Sequence, residues 1–508
     1  MVRLQDVKDA LLQEPLNATA ALTRSESHYT PLQSFTLDKQ RSYKQQYGDM
    51  YFLRLTKIKP AVEAVAAAAW DGISIHGETP KNVERVLDVR QGELCWITGT
   101  VYMDMTLKPN ILEDVSKDRW LSAPITSQKY YSDDGSDQIM LEDESGRVRL
   151  VGDQLKSVLL VTGCIIAVLG TENASGEFVV LDHKFPDLPP QPARWALSRP
   201  ADDHNDDDDD APMADAGSGN KIAIVSGLCF SGTDASYDLE LALLLEYLLG
   251  EALGPAAQGA AAHISRLVIA GDSVSMAADH RPDRGDDAKK AAHKKYGYDA
   301  SAYNPRPSQL LDDFLAELLP SIPVTLLPGA KDPANASYPQ QPIHTAVFAR
   351  SRVYAAGPAP AAPANPATQA QAQAHGWFHA VTNPFEAEIE GWRVLGTGGQ
   401  NVDDVFKYVD SDDRLGMMEA MCRWRCTAPT APDTLWSYPF QEDDPFVMQS
   451  CPHVYFVGCQ PEFATRVVDG PDGQRVRLIA VPEFARTKEL VLLDTETLEV
   501  SRVKIEAR

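Results

Sequence analysis

Four short apolar runs in the second half of the chain each end in a glycine-containing loop. The segments are IAIVSGLCFSG (222–232), RLVIAGDSVSM (266–276), VTLLPGAKDPAN (324–335) and HVYFVGCQPEF (453–463). Continuous apolar runs of this length are typical of strands buried on both faces, and ligands bind such sheets at the carboxyl ends of the strands. The pattern predicts an α/β sandwich in which these four loops form the candidate site.

Four further stretches predict helices. Residues 42–58 predict a helix, Pro60 is expected to interrupt it, and 61–70 predict a second helix. We expect the first helix to pack on the neighbouring barrel rather than to join a partner surface. The runs at 236–253 and 307–322 predict two amphipathic helices of the sandwich.

Residues 91–185 follow the pattern of short strands separated by glycine turns. A strand is predicted over 93–105, a hairpin over 138–153 around Ser145-Gly146, and a second hairpin over 162–185. About five strands in a segment of this length predict a small barrel of the OB type. OB barrels bind single strands through aromatic stacking in a basic groove, but this segment has little excess basic charge. We therefore favour a protein-binding module, with single-stranded DNA binding as the alternative.

The remaining stretches set the domain boundaries. The chain divides into a loose segment (1–40), N-terminal helices (41–90), the OB-fold domain (91–185), an acidic, proline-rich linker (186–220) and the sandwich domain (221–508). Insertions near 278–307 and 356–375 are expected to be disordered surface loops. The linker contains seven aspartates between residues 202 and 210. The final stretch, 475–505, predicts added antiparallel strands without chemistry of their own.

Composition restricts the function further. The 508 residues carry a formal net charge of −25, which argues against a primary role on bare DNA or RNA, because phosphate binding rests on Lys and Arg. Seven scattered cysteines suit a reducing compartment rather than a disulfide framework. We find neither a secretory signal nor a bilayer-spanning run, since 157–170 is too short and too punctuated. These features predict a soluble, intracellular protein.

The four loops resemble those of calcineurin-like phosphoesterases, with most metal ligands replaced. The family motifs D-x-H, G-D, G-N-H-[DE] and G-H-x-H correspond here to the pocket positions Gly227, Cys229, Asp272, Ala330, Lys331, Asp332, Cys459 and Pro461. Among the aligned metal-ligand positions, only Asp272 is a good ligand for a hard metal. A two-metal site needs several such ligands in a fixed arrangement. The resemblance therefore implies an inactivated phosphoesterase fold without catalytic residues, and an active metal-dependent phosphodiesterase or exonuclease is the alternative.

Lys331 stands where the motif places its catalytic histidine. An ammonium there would repel a divalent cation, and the neighbouring Asp272 would be costly to bury without a partner. We predict that Lys331 occupies part of the vacated metal space and forms an ion pair with Asp272.

Three weaker motifs are better explained by ordinary structure. Cys422 and Cys426, like His375 and His379, are four residues apart, but a structural zinc site usually needs two matching pairs. The glycine-rich loop at 396–400 lacks the Lys-Ser/Thr of a P-loop and predicts a strand-to-helix turn. We expect no metal or cofactor on this chain.

Long strings along the chain resemble the small, B-type non-catalytic subunits of eukaryotic DNA polymerase delta. The most specific strings are SYKQQYGDMYFLRL (42–55), LVTGCIIAVLG (160–170), VTNPFEAEIEGWRVLGTGGQNVDDVFKY (381–408), PTAPDTLWSYPF (429–440) and CPHVYFVGCQPEF (451–463). The resemblance covers about residues 40 to 500 and implies an OB domain followed by an inactivated calcineurin-like phosphoesterase domain.

This resemblance also implies partners and a compartment. Such subunits bridge the cysteine-rich C-terminal region of the polymerase catalytic subunit and a third, small accessory subunit. In some eukaryotes they also serve the catalytic subunit of polymerase zeta. An iron–sulfur or zinc module is expected on the catalytic partner, contact with DNA is expected to be indirect, and the complex is expected in the nucleus. The partner-binding residues are not identified by the sequence.

Overall fold

The computed structural model describes most of the chain in ten stretches. They are residues 23–43, 46–75, 77–109, 129–132, 134–194, 219–232, 236–251, 254–275, 304–355 and 376–506. The aspartate run at 202–210, the insertion at 356–375, His375 and most of the 278–307 insertion lie outside these residues. None of the described helices is both long and apolar enough to cross a membrane.

The N-terminal arm is bound to the sandwich from residue 23 onward. Strand β1 (Tyr29–Leu32) pairs antiparallel with Phe385–Ile389. The Arg24 guanidinium donates hydrogen bonds to the carbonyl oxygens of Leu248 and Ala261, at 2.8 and 2.9 Å. The expectation of a loose segment over 1–40 is therefore wrong for its described part, because backbone pairing with a strand more than 350 residues away leaves no local pattern.

A single helix, α1 (Gly48–Trp70), replaces the two helices predicted around Pro60. Proline removes one helical hydrogen bond, which normally interrupts a helix. Here Pro60 faces solvent, while Ile58 and Val62 on either side of it are buried in one continuous seam. Packing of both halves on the same barrel face overrides the local preference. Among the other described residues of 41–90 there is no second α-helix, but a short strand (Lys81–Asn82) and a 3₁₀ turn at Val86–Asp88.

The OB-type barrel has the predicted hairpins. Its strands are β2 (Lys81–Asn82), β3 (Cys95–Asp104), β4 (Gln138–Glu142), β5 (Arg147–Val151), β6 (Ile165–Glu172) and β7 (Glu177–Lys184). The order is β2-β3-β4-β5-β7-β6, and pairing of β3 with β6 closes the barrel. Helix α1 packs against β3, β6 and β7, as expected for a helix that supports the barrel.

The described residues of the sandwich domain, together with β1, form two six-stranded sheets. Its remaining strands are β8 (Lys221–Val225), β9 (Ile264–Ala270), β10 (Val324–Leu327), β11 (Phe378–Ala380), β12 (Phe385–Ile389), β13 (Trp392–Thr397), β14 (Val454–Gln460), β15 (Ala464–Asp469), β16 (Arg475–Pro482), β17 (Glu489–Asp494) and β18 (Val500–Lys504). The sheet orders are β11-β10-β9-β8-β17-β18 and β1-β12-β13-β14-β16-β15. Strands β8 to β11 are mutually parallel, as are β13, β14 and β16, so their carboxyl ends meet along common edges.

Six helices flank these sheets in the described part of the domain. They are α2 (Asp238–Leu249), α3 (Pro255–Ala262), α4 (Arg306–Leu318), α5 (Gln400–Tyr408), α6 (Arg414–Arg423) and α7 (Phe484–Thr487). The helices predicted at 236–253 and 307–322 correspond to α2 and α4. Helix α2 ends earlier than predicted because Gly250 adopts a left-handed conformation at its C-terminus. The final strands β17 and β18 are antiparallel additions, as predicted.

The described part of the predicted linker is packed against the sandwich rather than extended into solvent. The Arg425 guanidinium donates hydrogen bonds to the carbonyl oxygens of Pro186, Asp187 and Leu188, at 2.7–3.1 Å. Hydrogen bonds from one half-buried guanidinium to three consecutive carbonyl oxygens fix residues 186–188. The prediction of a linker starting at 186 is therefore wrong at its beginning.

A buried ion pair joins the barrel to the sandwich. Arg54 of α1 donates from Nε to Asp444 Oδ2 at 2.8 Å and from Nη1 to the Pro429 carbonyl at 2.7 Å. Both charged side chains are fully buried. On the barrel side, a Cβ at Gly163 would lie 2.8 Å from Arg54 Nη1, so the barrel loop closes directly over the guanidinium. The barrel and the sandwich thus share one continuous interior.

His379 on β11 makes stability depend on pH. Its ring centroid lies 4.5 Å from that of Tyr29, and burial together with the Arg266 charge lowers the pKa of His379 to about 4. Because an unfolded histidine titrates near 6.5, this contribution is complete above that pH and is lost as the pH falls towards 4. Between pH 7.5 and 5 we therefore expect the wild-type chain to lose about 2 kcal/mol more stability than the His379→Gln variant. Urea unfolding at both pH values measures it, and His28→Gln, whose ring is 70% exposed, should leave the loss unchanged.

Candidate functional site

The loops that follow β8, β9, β10 and β14 meet at one edge of the sandwich. The backbone N–H of Gly227 donates to the Gly271 carbonyl at 2.9 Å, and that of Cys229 donates to the Asp272 carbonyl at 3.0 Å. The Lys331 N–H donates to Asp272 Oδ1 at 3.0 Å. From the other sheet, the Cys459 N–H donates to Ser226 Oγ at 2.9 Å. These bonds connect the four loops that the sequence predicts to form the site.

Three of these loops carry a non-glycine residue in left-handed backbone conformation. Cys229, Asp272 and Cys459 have φ angles of 50°, 50° and 53°. Such conformations cost about 1–3 kcal/mol each and persist where surrounding structure imposes them, commonly at functional sites. The surrounding structure therefore imposes a strained backbone at three of the strand ends that form the pocket.

Lys331 and Asp272 form the predicted ion pair. Lys331 Nζ lies 3.0 Å from Asp272 Oδ2 and 2.8 Å from Glu483 Oε1. Burial alone would lower the pKa of Lys331, but the negative charges of Asp272 and Glu483 outweigh it and raise the pKa above its usual value. The ammonium therefore remains charged between two carboxylates.

Glu483 is the pocket residue that the sequence analysis missed. It follows β16, which pairs in parallel with β14 and so delivers its carboxyl end to the same edge. Its N–H donates to the Gln460 carbonyl at 3.2 Å. The sequence does contain a signal for Glu483. The apolar strand β16 ends at Pro482, directly before Glu483, just as the other apolar runs end at the pocket loops. The sequence pattern predicts only added antiparallel strands over 475–505, whereas β16 runs parallel to β14 and brings Glu483 to the pocket.

Asp332 ties two loops together. Its Oδ1 accepts from the Val274 N–H at 2.9 Å and its Oδ2 from the Gly329 N–H at 2.7 Å. Burial, followed by the charge of Asp272, raises the pKa of Asp332 to about 7. Both oxygens of this carboxyl group are therefore engaged with the backbone of the loops after β9 and β10.

The two thiols of the pocket are protonated at neutral pH. Burial raises the pKa of Cys229 to about 12, even though its Sγ lies 3.8 Å from Lys331 Nζ. Burial also raises the pKa of Cys459 well above its usual value, and its Sγ lies 3.9 Å from the Ala270 carbonyl oxygen. Burial therefore keeps both side chains neutral at this pH.

The other pocket positions offer no donor side chain. Ala330 and Pro461 are exposed on their loops, and a Cβ at Gly227 would lie 2.5 Å from Glu483 Cγ, so no larger residue fits there. In the described part of the chain, no group of three or more His, Cys, Asp or Glu side chains is arranged to hold a metal ion. The residues present do not fit the two-metal centre of active phosphoesterases.

A buried amide network behind the pocket was also missed. The Asn383 amide nitrogen donates to the Pro328 carbonyl and to Gln400 Oε1, both at 3.0 Å, while its oxygen accepts from the Gly398 N–H at 3.0 Å. The glycine-rich loop at 396–400 is the predicted strand-to-helix turn between β13 and α5. The turn also lines the site, since a Cβ at Gly399 would lie 2.5 Å from the Gly458 carbonyl oxygen.

The surroundings of the zinc candidates are those of core residues. Cys422 in α6 and Cys426 after it are both buried, and burial raises the pKa of both thiols. The His379 ring is tilted against Tyr29.

The basic side chains next to the barrel aromatic Tyr102 are already paired. Lys108 and Arg147 each lie 4.3 Å from the centre of the Tyr102 ring. Arg147 forms an ion pair with Glu142, and Lys108 lies 2.8 Å from Asp433 Oδ2. A single strand would have to compete with these carboxylates, which disfavours this surface as a nucleic-acid groove.

Comparison with known sequences assigns both domains. Residues 46–183 match the family described as DNA polymerase delta subunit OB-fold domain, and residues 222–465 match the B-subunit family of DNA polymerases alpha and epsilon. The chain is 35% identical over 494 residues to the DNA polymerase delta small subunit of Saccharomyces cerevisiae, covering 92% of this chain and 91% of the relative. The chain belongs to the DNA polymerase delta small-subunit family. This confirms the resemblance and the fold class inferred from the sequence.

Other members of the family come from plants and insects. The DNA polymerase delta small subunit of Arabidopsis thaliana is 34% identical over 477 residues, covering 94% of this chain and 95% of the relative. DNA polymerase delta subunit 2 of Drosophila melanogaster is 31% identical over 482 residues, covering 94% and 98%. The similarity therefore spans the barrel and the sandwich together in distant eukaryotes.

Proposed function

We propose that this chain is a non-catalytic scaffold subunit of DNA polymerase delta in DNA replication and repair. It bridges the C-terminal region of the catalytic subunit and a third, small accessory subunit. The observation that carries its non-catalytic character is the position of the Lys331 ammonium, 3.0 Å from Asp272 Oδ2 and 2.8 Å from Glu483 Oε1. A cation at that point repels the divalent ions on which phosphoester hydrolysis by this fold depends.

The neighbouring side chains support the same proposal. The best hard-metal ligand of the pocket, Asp272, is engaged by both the backbone N–H and the ammonium of Lys331. The thiols at 229 and 459 are protonated, and Ala330 and Pro461 have no donor atoms. The charged side chains of the pocket therefore hold the loops together and are engaged with one another or with backbone rather than with water.

The junction between the domains supports the bridging role. Because the Arg54–Asp444 pair lies in a continuous interior, the barrel and the sandwich present their outer surfaces in a fixed relation. A scaffold that holds two partners at once benefits from such rigidity, since neither interface has to bear the cost of ordering the domains. An obligate interface of this kind typically buries about 2,000 Å² or more.

The proposal includes the setting of the complex. The catalytic partner contributes a cysteine-rich C-terminal region with an iron–sulfur or zinc module, and this chain contributes no cofactor. The complex works in the nucleus, where contact of this chain with DNA is indirect. Sharing with the catalytic subunit of polymerase zeta is a further role for the same surface.

Affinity purification of the tagged chain from native extract tests the proposal. We expect a large polymerase catalytic subunit and a third subunit in stoichiometric amounts, with primer-extension activity in the eluate. Recovery of the chain alone, without polymerase, would contradict the scaffold role.

A phosphodiesterase assay tests the non-catalytic character separately. With Mn²⁺ and bis(p-nitrophenyl) phosphate, we expect the same background rate for the purified chain and for its Asp272→Ala variant. Hydrolysis that is abolished by Asp272→Ala would establish the alternative of an active metal-dependent phosphodiesterase.

A further inference from the structure

Helix α2 carries apolar side chains on its outer side as well as on its buried side. Three leucines at helical spacing pack into the sandwich core: Leu241, Leu244 and Leu248. On the opposite side, Leu239 is 59% exposed, Ala242 is exposed and Leu243 is half-buried. A helix in the outer layer of a domain normally presents polar residues to water on that side. The outer side of α2 is therefore unusually apolar for a surface helix.

Unpaired acidic side chains surround these apolar residues. The helix contains no basic residue and three acidic ones: Asp238, Glu240 and Glu246. None of the three forms an ion pair or a side-chain hydrogen bond with any residue that the structure describes. Helix α4 packs beside α2 and adds the exposed carboxylate of Glu317. The outer side of α2 thus combines apolar surface with an unbalanced negative charge.

The basic side chains at the two ends of α2 are engaged with other groups. Arg24 donates to the carbonyl oxygens of Leu248 and Ile264, at 2.8 and 3.0 Å. Lys488 donates to the Ala485 carbonyl oxygen, and its ammonium lies 4.7 Å from the centre of the Tyr237 ring. Neither of them is paired with a carboxylate of the helix.

The charge decides which kind of molecule fits this side of α2. Nucleic acid is disfavoured, because phosphates would face carboxylates. A second copy of this chain is also disfavoured, because a two-fold interface places the same patch on both subunits and would bring like charges together. A protein segment that combines apolar and basic side chains matches both properties of the surface.

We propose that the outer face of α2, formed by Leu239, Ala242, Leu243 and Glu246, is a docking surface for a basic amphipathic helix of a protein partner. These four residues follow the i, i+3, i+4, i+7 spacing of one helical face. The 12 residues of α2 extend about 18 Å, which matches about three turns of a partner helix. Apolar side chains of that helix pack on Leu239 and Leu243, and its Lys or Arg side chains face Glu240 and Glu246. This inference rests on the proposed function, since the helix belongs to one of the two partners that the scaffold holds.

Binding of each partner to the double variant Leu239→Lys, Glu246→Lys tests the inference. Both positions are exposed and lysine favours helices, so the Tm should remain that of the wild-type chain. The affinity for one of the two partners should fall about tenfold or more, because the variant removes an apolar contact and opposes like charges. The affinity for the other partner should not change.

Two further variants separate the contributions. Leu87→Lys introduces the same change at a leucine that is 70% exposed on the barrel, and it should leave both affinities unchanged. Glu240→Gln, Glu246→Gln removes charge but keeps the apolar contacts. It should weaken binding of the same partner and reduce the dependence of that affinity on salt.

Carbodiimide coupling of the native complex identifies the occupant directly. The reagent joins a carboxylate to a lysine amine that touches it, and mass spectrometry locates the two peptides. We expect Glu240 or Glu246 coupled to a lysine of a partner, in a segment with apolar residues at helical spacing. Coupling of these glutamates only to the lysines at 289–295 of this chain would identify an internal occupant and overturn the inference.

The outcomes distinguish this inference from the proposed function. If the wild-type chain and the double variant bind both partners equally well, the docking surface is refuted and the scaffold role stands. If the wild-type chain binds neither partner, the scaffold role fails and the docking surface fails with it. Coupling uses the wild-type chain, so it decides the question even if the double variant does not fold.

Discussion

Replacing Arg54 with methionine should destabilise the chain by about 3–5 kcal/mol, because it leaves the Asp444 carboxylate buried without its partner. The guanidinium and the carboxylate are both fully buried, 2.8 Å apart. The substitution also removes the hydrogen-bond donor to the Pro429 carbonyl oxygen. Gly163 of the barrel loop packs directly against this oxygen. Chemical denaturation should show either one unfolding transition with a lower midpoint or two separate transitions, one for the barrel and one for the sandwich.

Two matched variants distinguish the charge from the loss of packing. The double variant Arg54→Met, Asp444→Asn neutralises the stranded carboxylate while keeping the acceptor for the Phe446 N–H, so at least half of the loss should be recovered. Arg85→Ala breaks an exposed pair with Asp88 and should leave the denaturation midpoint almost unchanged. An Arg54→Met cost no larger than that of Arg85→Ala would contradict the buried clamp.

Replacing Gly458 with alanine should cost about 2–3 kcal/mol or more, because the two sheets of the sandwich approach each other at this residue. A Cβ at Gly458 on β14 would overlap the Ala270 carbonyl oxygen at the end of β9. Since the obstacle is backbone, the strands must move apart, and the loops at 271–272 and 459–461 move with them. Thermal and chemical unfolding measure the cost.

Gly259→Ala is the control for the methyl group itself. Gly259 lies inside α3, and a Cβ there meets no atom within 4 Å. This variant should gain about 0.5–1 kcal/mol through helix propensity. A Gly458→Ala variant as stable as the wild-type chain would show that the sheets have more room at this point than the geometry gives them.

Local patterns predicted the elements of this fold well where the cause was local. The glycine turns at Gly146 and Gly176 placed both barrel hairpins, and the apolar runs ending in glycine placed the strand ends of the site. The Lys331–Asp272 pair could also be predicted from the sequence, because an added cation next to a buried carboxylate has one obvious partner. The turns and strand ends are decided by residues close in sequence. The ion pair follows because the carboxylate of Asp272 needs a cation when it is buried.

The sequence was a poor guide where distant segments decide the outcome. Pro60 lies within a helix because both halves of α1 pack on the barrel, which no propensity of the segment itself reveals. The strand at Tyr29–Leu32 depends on an edge near residue 387, and Glu483 reaches the pocket only through the pairing of β16 with β14. Arg54 is a charged residue in an amphipathic helix, and the partner that allows its burial is 390 residues away. Tertiary pairing of this kind leaves no periodic signal.

Reconstitution of three purified components tests the central claim most directly. The components are this chain, the C-terminal region of the polymerase delta catalytic subunit and the third accessory subunit, analysed by size-exclusion chromatography with light scattering. We predict a 1:1:1 complex, two binary complexes that both contain this chain, and no association of the other two without it. Direct association of the catalytic region with the third subunit, or failure of this chain to bind either one, would contradict the scaffold account.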